Sequence, residues 1–128
     1  MKEYDASFKD ATTKKWVVKL TMSKVLKFCG EHNLRTEQIS PTQLNADQMA
    51  RLCFIGISHH TESKGFEFED FVDNALAGES FSYAMEATAM SIVNFSLPRM
   101  PEAQRVLMMK KLDEGGVGIE QQQQDKSP

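Results

Sequence analysis

Glu79–Leu97, ESFSYAMEATAMSIVNFSL, is the stretch around which the rest of the chain must pack. It holds two acidic residues, Glu79 and Glu86, and no lysine or arginine. Phe81, Met85, Thr88, Ile92 and Phe95 recur at spacings of three and four, and Tyr83, Ala84, Ala87 and Met90 widen that stripe beyond one helical face. A helix so apolar belongs in a core. Ala84, Ala87 and Ala89 favour helix and let neighbours approach closely, while too few β-branched residues are present for a strand. Gly78 or Ser80 is placed to start it and Pro98 to stop it. Ser82, Glu86, Ser91 and Asn94 make it too polar for a membrane span.

A chain of 128 residues suits a single domain with a core of its own. Hydrophobic residues make up 41% and charged residues 26%, which speaks against wholesale disorder and against a membrane protein. Fifteen basic against eighteen acidic residues leave a net charge of −3, which repels a polyanion and disfavours nucleic acid as the main ligand. Cys29 and Cys53 each lie in an apolar helical pattern, so reduced thiols are expected rather than a secreted, disulfide-dense scaffold. The start, MKEYDASFKD, has no apolar stretch of the secretory kind, and a cytoplasmic protein is expected. Of eight methionines, Met85, Met90, Met100, Met108 and Met109 fall in the last third, where flexible thioethers suit an irregular core or an adaptable partner surface.

Residues 4–20 read as a β-hairpin. Trp16, Val18 and Leu20 alternate with Val17 and Lys19, and a first strand at Tyr4–Phe8 pairs back across the turn Asp10-Ala-Thr-Thr. A lone hairpin is marginal and must dock. Thr21 caps a first helix carrying Met22, Val25, Leu26 and Cys29, which closes near His32–Asn33. Arg35–Leu44 reads as a mobile loop. Asn45-Ala-Asp-Gln48 has the spacing of a capping box and opens a second helix over about Ala46–Ser58. His59–Gly65 breaks it. With Glu67 as cap, Phe66 and Phe71 take the two staple positions of a short third helix ending near Ala77-Gly78, and Glu69 and Asp70 fall in its first turn. Pro101 opens a last helix, PEAQRVLMMKKL, that ends on Lys110 and Lys111. The expected fold is therefore mainly α, a single domain of about five helices with a small N-terminal hairpin. Residues 1–112 form the domain, and 113–128, rich in Gly and Gln, form a flexible tail.

The chemistry-bearing residues are sparse. Cys29, His32, Cys53, His59 and His60 supply sulfur and imidazole for a zinc site, but there is no close Cys-x-x-Cys pair and both cysteines fall in core phase. Cys29 with His32 meets only part of what a catalytic thiol requires. Glu67, Glu69, Asp70 and Asp73 lack the spacing of a calcium loop and read as charges complementing a helix dipole. Lys9, Lys14, Lys15, Lys19, Lys24 and Lys27 read as a solvated face, with a patch for an acidic partner as the other option. No phosphate loop, dinucleotide fingerprint or nucleophile elbow occurs.

Taken in order, the elements from Trp16 to Lys111 resemble the tail assembly chaperones of long-tailed bacteriophages and prophages. The resemblance rests on Trp16-Val-Val-Lys-Leu20-Thr21, the following Met22-Ser-Lys-Val-Leu-Lys-Phe, the entry Phe68-Glu-Asp-Phe71, Ala77-Gly-Glu-Ser80, and the Ala-rich helix ending Val93-Asn-Phe95-x-x-Pro98. It covers about three quarters of the chain and consists of apolar and turn positions, with no catalytic motif. The chain departs from it at Leu34–Leu44 and in its Gln-rich tail.

The resemblance implies a non-enzymatic assembly factor without cofactor or metal. Such a factor coats the tape measure protein, helps recruit tail-tube subunits, works in the bacterial cytoplasm, and is absent from the finished virion. Surplus apolar surface together with a coating role favours homo-oligomers, and the net charge of −3 and the polar N-terminus speak against nucleic acid and membrane as partners. A tape measure segment is largely helical and apolar, so its chaperone needs a tolerant groove of aromatic and methionine side chains. Phe54, Phe66, Phe68, Tyr83, Met100, Val106, Met108 and Met109 exceed what one face of each helix buries and are the candidates for it. Two other readings stand beside this one: a small thiol- or zinc-dependent enzyme or sensor, and a helical adaptor unrelated to phage.

Overall fold

Period-two alternation in the first twenty residues and period-3.6 patterning after them produce a hairpin docked on helices. The computed structural model describes residues 3–115. Strands β1 (Ser7–Lys9) and β2 (Lys15–Val17) pair antiparallel, Ser7 opposite Val17, Phe8 opposite Trp16 and Lys9 opposite Lys15. The pairing extends one bond further, Val18 N–H donating to the Ala6 carbonyl at 2.9 Å. Phe8, Trp16 and Val18 face inward, while Val17 and Lys19 face water, as the alternation predicts. Five helices follow among the described residues: α1 (Met22–His32), α2 (Ala46–Gly56), α3 (Phe68–Asp70), α4 (Ser80–Ser96) and α5 (Glu102–Gly115). The mainly α, hairpin-led architecture is the one expected from sequence.

The helix ends follow the side-chain chemistry written into them. Thr21 Oγ1 accepts from Lys24 N–H, and Asn33 closes α1 with φ 55°, the left-handed conformation its side chain tolerates. Asn45 and Gln48 exchange reciprocal bonds at 2.8 and 3.0 Å, completing the capping box of α2. Around α3 the two staple residues, Phe66 and Phe71, both stand edge-on to Trp16, with ring centroids 5.9 and 6.2 Å away. The helix then widens into a π turn at Phe71–Ala75, Leu76 N–H reaching the Phe71 carbonyl at 3.2 Å. Gly78, at φ 62°, turns the chain into α4.

α4 is the axis of the molecule. It packs on α2 and on β1, and it buries Ala84, Met85, Ala87, Thr88, Ala89, Ile92, Val93 and Phe95 over most of its circumference, leaving a strip with Tyr83, Glu86 and Met90 toward solvent. Thr88 satisfies its buried hydroxyl by donating to the Ala84 carbonyl at 2.7 Å. Near the other end, Asn94 brackets the backbone of Tyr4, accepting its N–H at 2.7 Å and donating to its carbonyl at 2.8 Å. A main core forms where α4 meets Trp16, Val25, Phe28, Leu52, Cys53, Ile57 and Phe71. A smaller cluster of Val93, Leu97 and Leu112 joins α4 to α5, and Leu112 is the α5 side chain it buries.

Three expectations are corrected. α1 turns its Val25–Phe28–Cys29 side inward, so Phe28 is 0% exposed and Leu26 is 54% exposed, because docking on α2 and the turn at 36–38 selects that face. The 35–44 loop contains a short 3₁₀ turn at Thr36–Gln38 and is anchored by buried Ile39 and Leu44. α5 continues to Gly115, past the boundary expected at residue 112; the rest of the expected tail lies outside the described residues.

Candidate partner-binding groove

The eight candidate residues fall into separate neighbourhoods. Phe54 and Phe68 are half-buried against each other, ring centroids 5.6 Å apart, at the α2–α3 junction. Phe54 also tilts onto Phe71 at 5.4 Å, and the Arg51 guanidinium lies 4.3 Å above the Phe68 ring. Phe66 is exposed on the outer edge of Trp16. Tyr83 is exposed on α4, its hydroxyl donating to Glu79 at 3.2 Å, and the Glu79 charge raises its pKa. Met100, Met108 and Met109 pack against the smaller cluster, and Val106 stands on the opposite, open side of α5.

Two of these, Met100 and Met108, meet in a cleft of about 460 Å³ that four chain segments build together. Met22 comes from the start of α1, Ile39 and Pro41 from the following loop, Phe95 and Leu97 from the end of α4, Met100 and Pro101 from the turn before α5, and Met108 from the middle of α5. The floor is apolar and the charges sit at the edges. Glu37 lines one wall, and on another Arg99 lies 4.0 Å over the Phe95 ring and donates to the Phe95 carbonyl. Met22 is half in water, and Leu26, exposed one turn further along α1, continues its apolar row outside the cleft. Sequence reading placed Met22 and Leu26 in the core face of α1. The exposure of Met22 leaves that wall of the groove accessible, and exposed Leu26 stands one turn beyond it on α1.

The thiol and metal residues do not assemble. Cys29 and Cys53 are both buried, and among the described residues no three His, Cys, Asp or Glu side chains converge on a metal position. Burial pushes the Cys53 thiol up to about 12, against a smaller lowering by its hydrogen bond with Thr88, and burial followed by the charge of Glu37 raises Cys29. Neither thiol is therefore expected to react with a disulfide reagent in the native protein at pH 8, and both should react in urea. Rapid stoichiometric labelling of native Cys29 would reinstate the sensor reading.

The histidines go to separate local contacts, His32 lying against the Phe28 ring with centroids 4.2 Å apart. His60 Nε2 accepts from Val17 N–H at 3.0 Å, capping the outer edge of β2, and His59 Nδ1 lies 3.0 Å from the Gly56 carbonyl. Burial, then the neighbouring His60 and Lys24, lowers the pKa of His59. The lysines are dispersed into local contacts. Lys14 pairs with Glu62 at 3.2 Å, Lys24 donates to the Lys19 carbonyl, and Lys9 and Lys15 stand opposite each other on the strands. Glu69 in α3 and Asp73 in the π turn after it line a shallow cleft with Phe68 and Phe81, and among the described residues they form no metal geometry. Among the described residues no helix is long and apolar enough to cross a membrane. Comparison with known protein families, curated proteins and solved structures returns no match to this chain.

Proposed function

We propose that the protein is a non-enzymatic assembly factor that shelters one apolar face of a partner helix in the groove between α1, the 36–41 loop and α5. The groove itself carries this reading: an open cleft in which Met22, Met100 and Met108 lie over buried apolar side chains, with Glu37 and Arg99 as its charged lining. Methionine side chains repack around differently shaped partners at small cost, so the surface selects an amphipathic helix without demanding one sequence. The resemblance to phage tail assembly chaperones supplies the partner. The helix belongs to the tape measure protein, the complex recruits tail-tube subunits, and the factor acts in the cytoplasm of an infected or lysogenic host and leaves before the virion is complete. The buried thiols support a binding role over the alternative of a thiol enzyme.

Co-expression with the tape measure protein tests this reading. Wild type is expected to keep that protein soluble and to co-purify with it. Met22→Asp with Leu26→Asp, in the exposed apolar row of α1, should weaken tape measure binding about a hundredfold or more, since each apolar side chain buried by the partner contributes about 1.5–3 kcal/mol and 1.4 kcal/mol is a factor of ten. Met100→Asp with Met108→Asp changes the floor and should have a larger effect. Circular dichroism checks that each variant is folded, and undiminished recovery from folded variants would remove the groove from the account.

A further inference from the structure

α5 is apolar on two opposite sides. Through Met108, Met109 and Leu112 it closes on the end of α4. On the far side Val106 and Leu107 are 59% and 56% exposed, and Ala103 and Lys110 are exposed with them. Helical spacing arranges this open face in two rows. Glu102, Val106, Lys110 and Glu114 follow one another at intervals of four, and Ala103 and Leu107 lie in the row beside them. The groove residues Gln104 and Met108 sit on a different side of the helix, so this face is a second surface.

We propose that the open face of α5 pairs with α5 of a second copy of this chain, the two helices antiparallel about a two-fold axis passing beside Val106. The charges select both the occupant and the direction. An acidic residue stands one turn before Val106 and a basic residue one turn after it, so antiparallel pairing sets Glu102 of each copy against Lys110 of the other, twice by symmetry. Parallel pairing would set Glu102 against Glu102 and Lys110 against Lys110. Val106 meets Val106 at the axis, Leu107 packs beside it, and the Lys110 stem covers the small Ala103 of the partner while its ammonium stays wet. The macrodipoles of antiparallel helices also oppose each other favourably. One helix pair is a small interface, in the class of weak, reversible contacts. The pairing does not depend on what occupies the groove.

Sedimentation equilibrium of the full chain tests the proposal over about a hundredfold range of concentration. The weight-average mass of wild type is expected to rise from that of one chain toward that of two. Val106→Asp with Leu107→Asp should remain monomeric, and because both positions are exposed the fold should be unchanged by circular dichroism. Glu102→Lys alone and Lys110→Glu alone should each weaken the dimer about tenfold at low salt, by bringing like charges together. The double reversal, E102K with K110E, should restore it. A wild type that stays monomeric throughout would overturn the proposal. So would single reversals that associate like wild type, or a double reversal that fails to recover.

Discussion

Replacing Trp16 by alanine is expected to remove about 4 kcal/mol of stability, more than any other single truncation in the hairpin. The side chain is 0% exposed and touches three aromatic neighbours, His60, Phe66 and Phe71, with centroids at 5.1, 5.9 and 6.2 Å. Its indole N–H also donates to Asp10 Oδ2 at 2.7 Å. The other oxygen of that carboxylate accepts from Thr12 N–H, Thr12 Oγ1 and Lys14 N–H, so Asp10 holds the hairpin turn and the indole together. Burial alone would raise the Asp10 pKa, but the bonds from Trp16, Thr12 and Lys14 outweigh it and hold the carboxyl below its ordinary value. Against a total of about 5–15 kcal/mol for a domain, Trp16→Ala should lower the urea midpoint severely or prevent folding.

Trp16→Phe separates the two contributions. It keeps most of the apolar volume and loses one hydrogen bond to a carboxylate, for an expected cost of about 1.5–3 kcal/mol. The Asp10 contribution is present above the unfolded carboxyl pKa of about 3.9 and is lost as pH falls through the lower folded value. The difference between wild type and Trp16→Phe should therefore shrink in acid. A Trp16→Ala variant within 1 kcal/mol of wild type would contradict the placement of the indole.

Gly56→Val is expected to cost about 3 kcal/mol, although glycine is a poor helix former. A β-carbon at residue 56 would stand 2.5 Å from Val18 Cγ1, closer than real contacts allow. Val18 is buried and β-branched, so it has little freedom to turn aside. The Gly56 carbonyl meanwhile accepts from Lys19 N–H at 2.9 Å, so moving the hairpin away from α2 would stretch that bond. Gly56→Ala sets a propensity gain of about 1 kcal/mol against an overpacking cost of up to about 3, and overpacking should win. Adding Val18→Ala to Gly56→Ala should recover part of the loss in a double-mutant cycle of thermal unfolding. Stabilisation by Gly56→Ala alone would mean that the hairpin sits further from α2 than described.

These two sites mark how far the sequence could be read. Local chemistry was legible wherever one residue type answers one backbone need: Thr21 and Asn45 at helix starts, Asn33 at a helix end, the alternation of Trp16 and Val18 with Val17 and Lys19. The apolar surplus of α4 identified the axis of the core for the same reason, since a helix whose apolar stripe is wider than one face has to be largely enclosed. What could not be read depends on which segments meet. Asp10 looked like an ordinary turn residue because its bond to Trp16 arises only once the hairpin closes. Met22 and Leu26 share the helical period with Val25 and Cys29, and only the docking of Phe28 decides which of them face out. The groove is further removed still. Its walls come from residue 22, from between 36 and 41, from between 92 and 97, and from 99–101, 104 and 108, and no periodicity within one segment announces a surface that four segments share.

The clasp between Tyr4 and Asn94 bears on synthesis as well as on structure. Ninety positions separate the two residues, and β1 lies on a helix that the ribosome delivers only after most of the domain has emerged. At about 5–20 residues per second, the opening strand waits roughly 5 to 20 s for the surface that will receive it. During that interval Phe8 and Trp16 are greasy side chains on a nascent chain without a seat, so a protein proposed to guard others from premature contact passes through such a window during its own birth.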